Sequence, residues 1–233
     1  DALRAGAPSV SVPLRVGIAD SVPKLEAYRL LEPALQTGDS LKLVCREGRL
    51  DSLVAELSVH RLDLVLADRP MPSNLNVRAF SHILGDSGVA VLGAPALVRP
   101  LKRRFPEGLD GAPFLLPGED VAMRSSLIRW LEKQNIRPRI VGEFDDSALL
   151  KAFGQAGAGF FVTPSTIANR VMELYQVEVL GKIDSVREQI FAISTERRLT
   201  HPAVIAISEG GRKFARRPPK ARAPGARRDR KST

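Results

Sequence analysis

A single cysteine, Cys45, excludes any disulfide within the chain, and a reducing compartment fits that usage. Cys45 closes the apolar run Leu41-Lys42-Leu43-Val44-Cys45, where a buried small hydrophobe is expected rather than a reactive thiol. Histidine is almost as scarce. His60, His82 and His201 lie far apart and no pair has the H-x-x-x-H spacing of a metal-binding helix. They are expected to end a helix, to sit in an extended segment and to open the last helix, respectively. There is no G-x-S-x-G, no phosphate-binding loop, and no G-x-G-x-x-G after the first strand, so the usual signatures of hydrolases and nucleotide enzymes are missing. The Gly-rich stretch Gly154 to Gly159 precedes a strand and reads as a helix stop and turn. No apolar run approaches the roughly 18 residues of a membrane span. Asp1 to Pro13 lacks a charged start followed by an apolar block, so no signal peptide is expected and a cytoplasmic location is. The chain opens on Asp1 rather than Met and is expected to be a fragment or a processed form.

Hydrophobic residues make up 44% of the 233, enough for a globular protein with a core. The net charge of +9 is unevenly placed. Ten of the 35 basic residues, and one of the 26 acidic ones, fall between Arg212 and Thr233. The body before them is neutral, so the high pI belongs to the tail. Rich in Pro, Ala and Arg, the tail (215–233) is expected to be disordered and to touch DNA phosphates at most weakly and nonspecifically.

Strand and helix patterns alternate along the body. Leu14–Asp20, Ser40–Cys45 and Leu62–Asp68 read as strands, with helices after Pro23 and over Arg49–His60. The first helix carries Leu25, Tyr28, Leu31 and Leu35 near helical spacing, and the second has Leu50, Leu53, Val54 and Leu57 on one face. The pattern returns about 100 residues later. Strands are expected at Pro113–Gly118, Arg139–Phe144 and Gly159–Pro164. Helices are expected at Val121–Gln134, with Leu127, Trp130 and Leu131 inward, at Ser147–Phe153 and at Ser165–Glu173. Two β-α-β units in succession imply parallel sheets with right-handed crossovers. Asn76–Leu92 reads as extended segments around a Gly85-Asp86 turn. Glu178–Ile183 and Gln189–Ser194 read as two late strands, before a closing helix at His201–Lys213. Late strands after a second module are expected to return to the first, giving two lobes and a hinge.

Several segments carry a family resemblance. Leu14 to Asp20, Arg46-Glu47-Gly48 before an apolar helix, Leu62 to Leu66, Gly142-Glu143-Phe144-Asp145-Asp146 and Gly157 to Pro164 resemble the effector domain of LysR-type regulators, over roughly Leu14 to Phe214. Val16 to Asp20, Gly142 to Gly154 and His201-Pro202-Ala203-Val204 look most like the branch that activates sodium/proton antiporter genes. The resemblance implies an α/β, type 2 periplasmic-binding-protein-like fold, with two Rossmann-like lobes joined by two crossover strands. Lobe I is expected at 14–93 plus 187–214 and lobe II at 94–186, with 1–13 the remnant of a linker to an absent winged helix-turn-helix. It also implies a small-molecule or ion effector, sodium for that branch, and DNA contact through the absent domain. The assembly implied is a homodimer or homotetramer. No enzymatic activity, cofactor or membrane partner is expected.

Ligands of open α/β sheets bind beyond the carboxyl ends of the strands. Those ends supply Asp20, Ser21, Glu47, Asp51, Asp68 and Arg69 from the first module. The second supplies Gly118, Met123, Arg124, Asp145, Asp146 and Thr163, with Ser165 and the loop Ser87-Gly88 at the border. Helix N-termini there favour anions, yet the side chains are largely acidic. A cation, or a ligand with both amino and carboxyl groups, satisfies both. Asp20, Asp51 and Asp68 are the candidate cation ligands, since hard cations want several oxygens. The plainer role for each acid is to cap a helix, with Arg69 and Arg124 as counter-ions. A solute-binding protein or a small-molecule enzyme on the same fold is the rival to a sensor.

Overall fold

The computed structural model describes residues 12–37, 41–75 and 77–215. Most of 1–13, expected to be a linker remnant, and of 215–233, expected to be a disordered basic tail, lies outside them. Strand β1 (Val12–Ala19) is central to the first lobe and parallel to both β2 (Leu41–Gly48) and β3 (Leu64–Ala67). Its alternate residues Leu14, Val16 and Ile18 are buried, as a period of two demands. Helices α1 (Lys24–Leu31) and α2 (Leu50–Ser58) make the crossovers. Leu53, Val54 and Leu57 are buried on α2 as expected.

Helix α1 corrects the expected spacing. Tyr28 and Leu35 are 61% and 55% exposed, while Glu26, Ala27, Leu30 and Leu31 are buried. The α-helical turn stops at Leu31 and gives way to a 3-10 turn over Glu32–Gln36 carrying Pro33. Helical spacing therefore does not carry through to Leu35. Cys45 is a second correction: it is exposed, because β2 is an edge strand with a largely solvated face.

The expected turn at Gly85-Asp86 is absent. Phe80–Gly93 forms one 14-residue strand, β4, followed by an unanticipated short helix α3 (Pro95–Leu101) that buries Val98. The second module then supplies β5 (Pro113–Pro117), α4 (Arg124–Lys133), β6 (Arg139–Phe144), α5 (Ser147–Gln155), β7 (Phe161–Pro164) and α6 (Ala168–Tyr175). The two late strands are likewise one 17-residue strand, β8 (Glu178–Ser194), before α7 (Pro202–Ala215).

β4 and β8 run antiparallel to each other through both lobes. Their ladder jumps at the crossing: Ser87 pairs with Glu188, but Val89 pairs with Ile183. Polar and glycine residues there look like turns in sequence; in the fold they form a bulge that bends an otherwise extended ribbon. Gly88 sits at the jump, where a Cβ would lie 2.9 Å from Asp184 Cα.

The sheet order β2-β1-β3-β8-β4-β7 and the parallel pair β5-β6 are linked by a bridge between Phe114 and Phe160. The sequence β6-β5-β7 in the second lobe thus echoes β2-β1-β3 in the first. Apolar clusters follow the same division. One gathers Leu14, Val16, Leu57, Leu84, Ile193 and Ile207. Two others cover opposite faces of the second sheet, around Val89, Phe114 and Phe160 and around Leu92, Leu115 and Phe161. Trp130 is half-buried against the former and stacks on Phe105 at 6.3 Å.

Candidate functional site

The parallel strands of each lobe stop at a shared gap. β1 delivers Asp20 and Ser21 to it, β3 delivers Asp68 and Arg69, and β5, β6 and β7 deliver Gly118, Asp145 and Pro164. Three cavities lie along this gap. The outermost holds about 140 Å³ and is lined by Asp20, Ser21, Arg49, Asp51, Arg69 and Asp120. A second, of about 30 Å³, joins Ser21 of the first lobe to Met123, Asp145, Lys151, Thr163 and Glu188. The third, of about 350 Å³, lies between Asp68 and Arg69 on one side and Val121 and Met123 on the other, with Glu188 of β8 also in its lining.

The lobes meet across the gap through a few polar contacts. Asp68, 5% exposed, accepts a hydrogen bond on Oδ2 from the Ala122 N–H at 2.7 Å, and its Oδ1 pairs with Arg69 Nε at 3.1 Å. Arg69 Nη2 donates to the Asp120 carbonyl. Arg49 and Asp120 approach to 3.6 Å with both side chains well exposed, a pairing worth little. Deeper in, buried Glu26 of α1 accepts from Thr166 Oγ1 at 3.0 Å and pairs with Arg29.

The expected site residues separate into groups. Asp20, Ser21, Asp51 and Arg69 share the outer cavity, Met123, Asp145 and Thr163 the small one, and Asp68 borders the third. Asp20 and Asp51 are therefore together, while Asp68 faces elsewhere. Among the described residues no cluster of three or more His, Cys, Asp or Glu side chains is placed to hold a metal ion. Glu47 pairs with Lys24. Arg124 is spent within its own lobe, on Glu143 at 2.7 Å and the Pro117 carbonyl at 2.5 Å. Asp146 caps α5 through the Leu149 N–H at 2.6 Å. Gly118 leaves room for Asp145, whose Oδ1 would lie 1.9 Å from a Cβ there. Ser87 borders Glu26 and Arg29, and the Ser165 N–H donates to the Gly88 carbonyl at 2.9 Å.

Sequence reasoning missed Glu26, Asp120, Lys151 and Glu188. Two of these left a trace. Glu188 stands between Val186 and Ile190 on the inward stripe of β8, a charge where a period of two calls for an apolar side chain. Lys151 lies beside Leu150 on the buried face of α5. Burial, with Glu26 and Asp68 nearby, pushes the Glu188 carboxyl up to about 8, against the pull of Lys151. Burial lowers the Lys151 ammonium to about 8, opposed by Glu188 and Asp146. Glu188 also borders three cavities, including one beside Glu26 and Arg29.

Two α/β lobes, a pair of strands crossing between them and a polar gap at the strand ends define a type 2 periplasmic-binding-protein-like domain. The chain belongs to the LysR substrate binding domain family, whose model matches residues 9–209. The transcriptional activator protein NhaR of Escherichia coli K12 is 33% identical over 192 residues, covering 82% of this chain and 63% of the relative. NhaR of Shigella flexneri matches to the same extent. The chain thus spans less than two thirds of these relatives. Among solved structures, the reduced regulatory domain of OxyR2 from Vibrio vulnificus superposes with a TM-score of 0.63 at 15% identity, covering 92% of this chain and all of that one. The apo regulatory domain of HypT from Salmonella typhimurium gives 0.63 at 16%, covering 87% and 95%. The effector binding domain of QuiR, in complex with shikimate, gives 0.60 at 15%, covering 88% and 97%. Such identities show a shared fold. Among the described residues no helix is long and apolar enough to cross a membrane.

Proposed function

We propose that this chain is the effector-sensing part of a DNA-binding transcription regulator, and that its effector binds between the lobes. The supporting observation is the latch at Asp68 and Ala122: one buried carboxylate and one backbone N–H join the lobes beside otherwise open polar rims. A ligand that binds one inter-lobe angle better than another shifts the population by that difference and no more. In the whole regulator, a homodimer or homotetramer, the shift would change the spacing of its DNA-reading heads. The lobes in this reading divide at the β4–β8 crossing, near Gly88 and Arg187. Opposite charges line the outer cavity, Asp20, Asp51 and Asp120 with Arg49 and Arg69. That favours an effector carrying both signs over a bare cation such as sodium.

Thermal shift against amino acids, small carboxylates, and NaCl versus KCl at matched ionic strength identifies the ligand class. Small-angle scattering then follows the best ligand. The expected result is a change in radius of gyration on binding, weakened in Asp68→Asn. Binding with unchanged dimensions in both proteins would count against a moving clamp.

A further inference from the structure

The neutral charge of the body conceals a separation within the second lobe. The parallel strands β5 and β6 point their carboxyl ends at the gap, so their first residues, Pro113 and Arg139, lie at the opposite pole. The segments that meet toward that pole are 95–112, 129–139 and 176–182, and they hold nine basic residues against four acidic ones. Over the rest of 94–186 the balance reverses, to three basic and seven acidic residues. The pole is thus strongly positive in a lobe that is nearly neutral as a whole.

Specific contacts hold these segments together. Arg99 pairs with Glu178 at 3.0 Å, Lys102 donates to the Val179 carbonyl, and the Gly111 N–H donates to the Arg137 carbonyl at 3.0 Å. Phe105 stacks on Trp130 and covers Gly181, where a Cβ would come within 2.4 Å of its ring. The basic run Lys102-Arg103-Arg104 is therefore fixed against β8 and α4. Two of the four acids are already engaged: Glu178 by Arg99, and Asp110, whose Oδ1 accepts from the Arg137 N–H at 2.8 Å. By contrast, Arg103, Arg104, Lys133, Arg137, Arg139 and Lys182 are exposed, and among the described residues none of their side chains has an ion pair or hydrogen bond.

Like charges gathered on a fixed surface repel one another and attract an anion of high charge density. Six of the nine basic residues are arginines, whose planar fork matches phosphate oxygens. Phe105 and Trp130 are half-buried and stacked on each other, which does not make the platform of free ring faces that unpaired bases use. The surface suits a continuous phosphate backbone instead.

We propose that this pole of the second lobe binds the phosphate backbone of duplex DNA. The inference rests on the chain being part of a DNA-binding regulator, and it puts the contact on the far side of the lobe from the effector gap.

The test uses the full 233-residue chain and a labelled duplex of arbitrary sequence, titrated across a KCl series. Trp130 is the single tryptophan of the chain, so its emission reports contact at this pole and not at the C-terminal tail. DNA is expected to change that emission. In a triple variant, Arg103→Gln with Arg104→Gln and Lys182→Gln, the change is expected to vanish. The slope of log affinity against log salt is expected to fall by about two units or more, since each lost phosphate contact removes about 0.9. A second triple variant, Arg61→Gln with Arg197→Gln and Arg198→Gln, removes the same charge from exposed positions of the first lobe and is expected to keep both signals. An unchanged slope in the first variant, or an equal fall in both, overturns the proposal. So does binding to phosphatidylserine vesicles that the first variant loses while its duplex slope is kept, which would assign the pole to a membrane surface. None of these results touches the effector reading, which is decided by ligand-dependent scattering.

Discussion

Asp68 at the end of β3 and Ala122 at the approach to α4 are 54 residues apart in sequence and joined by a 2.7 Å hydrogen bond. The carboxylate is buried and held from its other side by Arg69. Removing it in Asp68→Ala leaves the Ala122 N–H without its acceptor and the Arg69 guanidinium with the Asp120 carbonyl but no carboxylate partner. The expected cost is about 1–3 kcal/mol in urea unfolding, with faster hydrogen exchange at the Ala122 amide. Arg49→Ala, which removes only the exposed pair with Asp120, is expected to cost less than about 1 kcal/mol. Equal effects of the two substitutions would show that the lobes are not joined chiefly at Asp68.

The two modules were legible because each strand and helix has its own period. The buried residues Leu53, Val54 and Leu57 of α2 followed directly from it. The crossover strands were legible only in part. A long antiparallel ribbon with a bulge at Gly88 looks locally like two strands and a turn, since extension through Asp86 and Ser87 is enforced by the pairing partner β8 and not by local propensity. The rim residues Asp20, Asp51 and Asp145 were readable because strand ends announce them. Lys151 and Glu188 were not, because their environment is assembled from α5, β7 and β8, and no single segment carries it.

Stability should depend on pH through Glu188. Its carboxyl lies at about 8 in the fold against an ordinary 4.5, so between those values the folded chain holds a proton that the unfolded chain has released. That contribution is fully present below pH 4.5 and is lost as pH rises through about 8. Lys151 works in the adjoining window. Its ammonium is lowered from 10.5 to about 8, so the folded chain binds fewer protons there and stability recovers toward pH 10.5. The urea midpoint of the ligand-free protein is expected to decline toward pH 8 and then recover. In Glu188→Gln the decline should be shallower. Identical declines in both proteins would exclude Glu188 as its source.

Gly88 tests the geometry of the crossing. A methyl group there would meet Asp184 Cα and the Ile183 carbonyl, each at 2.9 Å, both of them backbone. Neither neighbour can swing away as a side-chain end would, so the ribbon itself must shift. Gly88→Ala is expected to destabilise by about 1–3 kcal/mol, as overpacking does, and to alter the scattering profile through a changed lobe angle. Gly48→Ala is the control, since its nearest new contact would be at 3.7 Å to the flexible Leu53 side chain. A silent Gly88→Ala would mean that the crossing tolerates more than its spacing implies.

Most of the basic excess can be separated from the fold by ending the chain at Ala215. The segment removed carries eight basic residues and one acid, and α7 ends at that residue. Among the described residues, Ala203, Val204 and Ile207 of α7 join the apolar cluster of the first lobe, and all of them are kept. The melting temperature of the shortened chain is therefore expected to match that of the full chain. Binding to nonspecific duplex DNA is expected to fall, together with the steepness of its salt dependence, because each lost phosphate contact removes close to one unit of slope on a log-log plot. A shortened chain that keeps the full slope would place the DNA contact on residues 1–215, where Arg212 and Lys213 remain, and remove the segment after Ala215 from consideration.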